Sequence, residues 1–224
     1  MKITTYPDRD ALNMGLADEL ASSLRNALML GNDVTMAVPG GTTPGPIFDL
    51  LSAVSIDWAR IKVMLTDERW VPEDHERSNT ALLRKRLLVD NAAEAQMIPL
   101  YGDGVPEDVL PSLSAAIEPR LPLSIVLLGM GGDMHTASLF PGAPGLDAAL
   151  AADAPALCLL DPEGQPDRRV SLSARVLNGA LDKHLVIIGP EKRAALDAAV
   201  KLTPHEAPVQ AVLQNLHVHW AEQE

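Results

Sequence analysis

The sequence predicts an α/β fold, with a doubly wound, mostly parallel sheet flanked by helices. Short apolar runs of strand length alternate along the chain with stretches whose apolar residues recur at helical spacing. Such alternation places helices on the faces of a parallel sheet. No internal repeat, low-complexity tract or linker interrupts the pattern, so residues 1–224 are expected to form a single domain.

Each predicted element has a local reason. Leucines recur every fourth residue over 10–30, which predicts one face of a long helix. A helix over 46–51 begins with proline, and Ser78 or Asn79 can cap a helix that ends at residue 88. Further helices are predicted at 106–117, 191–200 and 208–213. Apolar runs predict strands at 34–38, 61–65, 97–101, 125–128, 156–160, 170–172, 185–188 and 217–220.

Composition excludes several classes of partner. Lys and Arg total 18 against 30 Asp and Glu, a net charge of −12. An acidic surface repels nucleic acid and anionic membranes, so an anionic ligand would depend on a few local basic groups. With no signal region at its start and no segment that could span a bilayer, the chain is expected in the cytoplasm. Cys158 lies in an apolar run and is expected to be a core residue.

Glycines or polar residues directly follow four of the predicted buried strands. Ligands of open α/β sheets bind outside the carboxyl ends of the strands, so these segments are expected to meet at one edge. They are residues 39–44 (PGGTTP), 67–69 (DER), 129–135 (GMGGDMH) and 189–192 (GPEK).

The first segment has the composition of an anion-binding loop, although the same residues also suit an ordinary tight turn. Gly40 and Gly41 expose backbone N–H groups, Thr42 and Thr43 add hydroxyls, and the following helix favours negative charge at its start. The spacing is neither that of a Walker A loop nor that of a dinucleotide fingerprint.

Basic residues near other strand ends suit a phosphate dianion. Lys192 would act as a point charge, and Arg168 and Arg169 precede a predicted strand. Singly, such residues are more often solvated surface groups, but their placement in an acidic protein favours binding. Asp67 and Arg69 are open to two interpretations, a surface ion pair or part of a binding cleft.

Asp133 and His135 supply an acid–base pair. A histidine with a neighbouring carboxylate can take a proton from water near neutral pH. No metal site is expected, because the sequence has no Cys pair or His-x-x-x-His, and His217 and His219 lack an evident third ligand. Ser138 lacks the setting of a nucleophile elbow.

Together these segments resemble the glucosamine-6-phosphate isomerase/6-phosphogluconolactonase family, and its lactonase members in particular. The likeness runs in order through residues 39–44, 67–79, 128–142, 169–173 and 189–192. It implies a fold like that of glucosamine-6-phosphate deaminase and ribose-5-phosphate isomerase. It also implies hydrolysis of 6-phospho-glucono-δ-lactone in the oxidative pentose phosphate pathway, without metal or organic cofactor.

The resemblance implies a role for each matching residue. His135 would be the general base that activates water, Asp133 would orient it, and backbone N–H groups of 129–132 would be candidate oxyanion donors. The residues expected to bind the substrate or its phosphate are Gly40, Gly41, Thr42, Thr43, Asp67, Arg69, Gly131, Arg169 and Lys192. The partner would be a small sugar-phosphate lactone, and the protein a monomer or weak homo-oligomer.

The chain departs from the family pattern at two positions, and two other functions fit part of the sequence. Met134 stands where the family usually has glycine, so a positive φ there would be strained, and Pro39 removes an N–H donor. An amino-sugar phosphate isomerase or deaminase would typically carry Asn-Glu-Pro after the histidine and an aromatic residue at Arg69. A sugar-phosphate sensor would need a DNA-binding segment, and a helix-turn-helix with a basic surface is absent from the sequence.

Overall fold

A seven-stranded, wholly parallel sheet forms the centre of the computed structural model, which describes residues 1–31 and 33–223. A three-stranded antiparallel sheet lies beside it. The strands are β1 (Lys2–Tyr6), β2 (Val34–Val38), β3 (Ile61–Leu65), β4 (Asp67–Arg69), β5 (Gln96–Met97), β6 (Ile125–Gly129), β7 (Leu157–Leu160), β8 (Arg169–Leu172), β9 (Asp182–Ile188) and β10 (His217–Ala221). The large sheet has the order β1-β10-β9-β6-β2-β3-β5, and the small one β4-β8-β7.

Helices cover the large sheet and bury its apolar strands. They are α1 (Arg9–Leu30), α2 (Gly45–Ser52), α3 (Asn79–Arg86), α4 (Pro106–Ile117), α5 (Leu146–Leu150), α6 (Ala174–Asn178) and α7 (Pro190–Ala199). Short 3₁₀ helices span Trp58–Arg60, Asp90–Glu94, Glu118–Arg120 and Pro208–Val212. All five residues of β2 are buried, as expected for a central strand with helices on both faces. Among the described residues, no helix is both long and apolar enough to cross a membrane.

The long helix α1 shows how local sequence sets an element. The Asp8 side chain accepts a hydrogen bond from the Ala11 N–H at 2.8 Å, which caps the first turn. Leu12, Leu16 and Leu20 then lie on the buried face at four-residue spacing. Burying each leucine contributes roughly 1.5–3 kcal/mol.

The sheet reverses its winding between β2 and β6. From β2 the chain proceeds outward through β3 to β5, then returns to place β6 on the other side of β2 and continues to β9 and β10. The loops that follow β2 and β6 therefore diverge around a crevice at the carboxyl edge. Such a switch point is the usual ligand site of a doubly wound sheet.

The structure confirms the fold class and corrects several elements. The strand predicted over 97–101 is shorter and spans Gln96–Met97, and the Ile98 N–H donates to the Val63 carbonyl at 2.8 Å. The helix predicted over 208–213 is a 3₁₀ helix. The two apolar runs at 156–160 and 170–172 do form strands, but they pair antiparallel in the small sheet instead of joining the large one.

Two strands and two α-helices of the described residues had not been predicted, β1, β4, α5 and α6, nor had the first three 3₁₀ helices. β1 is a half-exposed edge strand that pairs only with β10, so it lacks the continuous apolar run of a buried strand. Asp67–Arg69, expected as polar residues at the end of the strand 61–65, is the separate strand β4 and pairs with β8. The helices α5 and α6 have five residues each, too short for a periodic pattern.

Candidate active site

The crevice at the switch point is a cleft of about 630 Å³. It is lined by the loop after β2, the loop after β6, β4 and β8 from the small sheet, the end of β9 and the start of α7. These are the strand ends at which the sequence placed its polar segments. The fold therefore brings all four segments to one cleft.

At one side of the cleft, His135 and Asp133 form a close pair. Nδ1 of His135 lies 2.5 Å from Oδ1 of Asp133, and the His135 ring stacks on Phe140 with centroids 4.0 Å apart. When Nδ1 of His135 carries the proton that Asp133 accepts, the second ring nitrogen of the neutral ring, Nε2, has a free lone pair. The His135 side chain is 29% exposed, which leaves it accessible to water.

The turn between β6 and His135 depends on a glycine at close approach. A Cβ at Gly131 would lie 2.1 Å from Nδ1 of His135 and 2.3 Å from Oδ1 of Asp133. The N–H of Gly131 donates to the carbonyl of His135 at 2.9 Å. That N–H is therefore engaged within the turn, and the oxyanion role expected for the N–H groups of 129–132 stays a prediction.

Met134, between the two, adopts φ 67°, the left-handed conformation that the glycine of the family pattern would favour. Its carbonyl accepts a hydrogen bond from the N–H of Val209 at 3.1 Å, and its side chain packs against the core. These contacts hold a conformation that costs a non-glycine residue about 1–2 kcal/mol.

Across the cleft, Arg69 and Arg169 stand directly opposite each other in the β4–β8 register. Arg169 is 6% exposed, and burial, together with the charge of Arg69, lowers the pKa of its guanidinium. Nε of each arginine is buried without a hydrogen-bond partner in the described part of the chain. Two facing cations with unused donors are destabilising unless an anion lies between them.

Asp67 is buried on the floor of the cleft and is held by neutral donors. Oδ2 accepts from the Ser138 hydroxyl at 2.6 Å, and Oδ1 accepts from Thr66 at 3.2 Å. The Asn79 amide donates to the Asp67 carbonyl at 3.2 Å, and a Cβ on Gly40 would lie about 2.0 Å from Asn79. Only glycine at position 40 allows the loop 39–44 to approach Asn79 this closely.

Glu68, which the sequence did not single out, fixes the position of α3 relative to β4. Its carboxylate accepts from the N–H groups of Arg69, Asn79 and Thr80 at 2.7, 2.9 and 2.7 Å, and from Ser78 Oγ at 3.1 Å. A carboxylate at the first turn of a helix satisfies N–H groups that would otherwise lack partners. Glu68 therefore ties the strand that carries Asp67 and Arg69 to the helix that carries Asn79.

The cleft is electropositive although the protein is acidic. Arg9, Arg69, Arg169 and Lys192 line it, against one carboxylate, Asp67, among its described lining residues. Lys192 donates to the carbonyl of Met130, which anchors its ammonium group beside the turn after β6. A local excess of positive charge in a protein of net charge −12 favours an anionic ligand.

The family model described as glucosamine-6-phosphate isomerases/6-phosphogluconolactonase matches residues 7–220. The chain belongs to this family. A 6-phosphogluconolactonase of Pseudomonas aeruginosa is 40% identical over 211 residues, covering 92% of this chain and 89% of that protein. One from Caulobacter vibrioides is 36% identical, covering 99% and 98%.

Solved structures of the family share the whole architecture. The crystal structure of a 6-phosphogluconolactonase from Shewanella baltica has a TM-score of 0.92 at 31% identity, covering 99% of this chain and 97% of that one. A monomeric glucosamine-6-phosphate deaminase has a TM-score of 0.82 at 14% identity, and that likeness concerns the fold alone.

Of the site residues predicted from the sequence, all but one line the cleft of this family member. Asp133 does not, and it reaches the cleft through His135. Arg168, considered with Arg169, points away and pairs with Glu107 at 2.7 Å. Arg9 and Gln165 also line the cleft and were not predicted, because no local pattern marks them, and Phe140, which lies in the segment 128–142, had been given no role.

Proposed function

We propose that this protein hydrolyses 6-phospho-D-glucono-1,5-lactone to 6-phospho-D-gluconate by general-base activation of water. The observation that supports it most is that one cleft contains the close His135–Asp133 contact and two arginines, Arg69 and Arg169, whose Nε donors have no partner among the described residues. A phosphate held by the cations would place the other end of a sugar lactone near the histidine. Remote binding energy of this kind positions a substrate for attack.

In the proposed reaction, Nε2 of His135 takes a proton from water while Nδ1–H remains bonded to Asp133. The water oxygen attacks the lactone carbonyl carbon and forms a tetrahedral oxyanion. The oxyanion collapses, the bond from that carbon to the ring oxygen breaks, and the imidazolium returns its proton to the departing oxygen. Asp133 favours the imidazolium that forms transiently, because its negative charge lies beside the ring.

The proposed phosphate site has cations on one side and a loop with a helix start on the other. Arg69, Arg169 and Lys192 would pair with phosphate oxygens, and Arg69 and Arg169 have unused Nε–H donors. Gly40 and Gly41 would offer backbone N–H groups, and Thr42 and Thr43 hydroxyls, at the beginning of α2. A dianion between Arg69 and Arg169 would relieve their mutual repulsion.

We further propose that residues 1–224 act as one catalytic domain, in the cytoplasm, as a monomer or weak homo-oligomer. The reaction as written needs only water and the residues named, so no cofactor takes part in it. The acidic surface supports the absence of nucleic-acid and membrane partners.

The decisive experiment follows lactone disappearance after the lactone is generated in situ with glucose-6-phosphate dehydrogenase. Wild-type protein is expected to exceed the spontaneous rate, and His135→Ala to lose about 10²–10⁴-fold in kcat. His205→Ala is the control, since that histidine is exposed and pairs with Asp147 outside the cleft.

Two outcomes would contradict the proposal at different points. Wild-type protein that adds nothing to the spontaneous rate rejects the reaction, and release of ammonia from glucosamine 6-phosphate would point to the deaminase alternative. Full activity in His135→Ala would retain the reaction and reject His135 as its base.

A further inference from the structure

A second cluster of polar residues lies outside the cleft, beneath α1 and toward the amino ends of β9 and β10. It consists of Glu19, His184, His217 and His219 and is called the histidine cluster below. His217 and His219 lie two residues apart on β10, and His184 is the register partner of His217 on β9. The described residues that line the cleft include none of the four.

The four side chains converge on one another. One donor atom from each can be chosen so that all lie within 4.8 Å of one another. Nδ1 of His184 is 3.1 Å from Nε2 of His219, and Nδ1 of His217 is 2.9 Å from Oε1 of Glu19. Donors around a tetrahedral Zn²⁺ with bonds of about 2.0–2.1 Å are roughly 3.3–3.4 Å apart, so small side-chain shifts would suffice.

The far nitrogen of each ring has an oxygen close to it. Nε2 of His184 lies 3.2 Å from Oδ2 of Asp182, and Ser23 donates to that same carboxylate at 2.5 Å. Nδ1 of His219 lies 2.9 Å from the Tyr6 hydroxyl, and Nε2 of His217 lies 2.8 Å from the Thr4 hydroxyl. Oxygens placed this way orient metal-binding imidazoles and hold their outer protons.

These outer partners allow the inner nitrogens to act as ligands. The Asp182 carboxylate, 3.2 Å from Nε2 of His184, can accept a hydrogen bond after a small side-chain adjustment, and hydroxyl oxygens can accept as well as donate. With its outer nitrogen protonated, each ring turns a lone pair inward, toward the other two rings and the Glu19 carboxylate. No backbone movement is needed for this choice of tautomers.

We propose that Glu19, His184, His217 and His219 form a binding site for a divalent transition-metal ion of the Zn²⁺ type. Three imidazoles and a carboxylate are a donor set that suits Zn²⁺. The three histidines are buried, whereas the Glu19 side chain is 38% exposed and leaves an entry for the ion. The ion would have four protein ligands and would lie away from the cleft. Its role would therefore be structural, because it would join α1 to β9 and β10.

The site goes beyond the proposed hydrolysis, and its test uses Zn²⁺ and Co²⁺ alone with the full chain. Equilibrium dialysis is expected to give one ion per chain, Zn²⁺ to raise the Tm, and Co²⁺ to give the visible spectrum of tetrahedral coordination. In wild-type protein with ¹⁵N-labelled histidine, Zn²⁺ is expected to shift the ring signals of His184, His217 and His219.

Two variants remove ligands with little change in shape. Glu19→Gln alters a half-exposed side chain, and His217→Gln keeps an amide able to reach Thr4 in place of Nε2 while losing Nδ1. Each is expected to weaken Zn²⁺ binding about 10- to 100-fold or more. His205→Ala and His135→Ala are expected to bind the ion as the wild-type protein does.

The proposal is overturned if neither ion binds at roughly millimolar concentration, or if both cluster variants bind as tightly as wild type. It is equally overturned if binding disappears in His135→Ala, since the ion would then occupy the cleft. If a cluster variant fails to fold, the ¹⁵N ring signals of wild-type protein still test the site. The proposal is rejected if Zn²⁺ does not shift the signals of His184, His217 and His219.

Discussion

Gly131 shows how one missing side chain positions the proposed base. A methyl group there would overlap both His135 and Asp133, at 2.1 and 2.3 Å from their nearest polar atoms. Since the pair must keep its geometry to direct the Nε2 lone pair, the turn tolerates only hydrogen at this Cα. The conformation itself is ordinary, so the requirement is one of space and not of backbone freedom.

Gly131→Ala is therefore expected to lower kcat about 100-fold, the usual cost of displacing a catalytic group by about 1 Å. KM should change less, because Arg69 and Arg169 lie in the small sheet and not in this turn. Gly132→Ala is the matched control, since a Cβ there meets nothing within 4 Å and activity should stay within about twofold. Steady-state kinetics of the two variants check this, and equal losses would contradict it.

At Met134 the backbone conformation matters more than space. A position with φ 67° is readily occupied by glycine and is unfavourable for β-branched residues. Met134→Gly is expected to retain activity, with a free energy of unfolding within about 1 kcal/mol of wild type, as relief of strain offsets lost packing.

Met134→Val, in contrast, is expected to lower the free energy of unfolding by about 1–2 kcal/mol and to reduce kcat. Urea unfolding measures the first quantity and the lactone assay the second. If valine proved as good as glycine at this position, the left-handed conformation would not matter to the site.

At the scale of elements, the junction of β4 with α3 supports the phosphate side of the cleft. The Glu68 carboxylate is 1% exposed and accepts four hydrogen bonds across that junction. A glutamine amide in its place would turn its NH₂ group toward the N–H of either Asn79 or Thr80, because these donate to different carboxylate oxygens. An unpaired buried donor destabilises a protein more than the lost bond alone.

Glu68→Gln is accordingly expected to lower the free energy of unfolding by about 2–4 kcal/mol and to raise KM, because β4 also carries Arg69. Glu73→Gln is a suitable control, since Glu73 is exposed and pairs with Arg84 at the surface, where the change should stay below about 0.5 kcal/mol. Urea denaturation compares the two. Equal stabilities would show that Glu68 does not hold the junction.

At the scale of the whole molecule, the buried cysteine reports on global unfolding. Cys158 is 5% exposed, and burial raises the pKa of its thiol to about 11. At pH 8 only roughly 0.1% of such a thiol is the reactive thiolate.

Alkylation of Cys158 at pH 8 is thus expected to be very slow in native protein and to accelerate along the same urea transition that circular dichroism follows. Protein fully unfolded in guanidinium sets the reference rate. Rapid labelling without denaturant would contradict burial of β7.

The sequence alone determined what depends on near neighbours. Periodicity within each segment predicted the alternating α/β order, and the Asp133-x-His135 spacing predicted an acid–base pair, which the turn through the left-handed Met134 brings into contact. The polar segments at strand ends predicted the edge at which the cleft lies, because parallel strands all end at the same side. Such features are local, so the residues of a short stretch of chain are enough to determine them.

Only the tertiary structure decided which distant residues meet. The pairing of β4 with β8 sets Arg69 opposite Arg169, and the packing of α1 on β10 brings Glu19 to His217. Two histidines that lacked a third ligand in the sequence thereby gained His184 and a carboxylate. Strand pairing and helix placement follow from the packing of the entire core. No single segment of the sequence contains the information that fixes them.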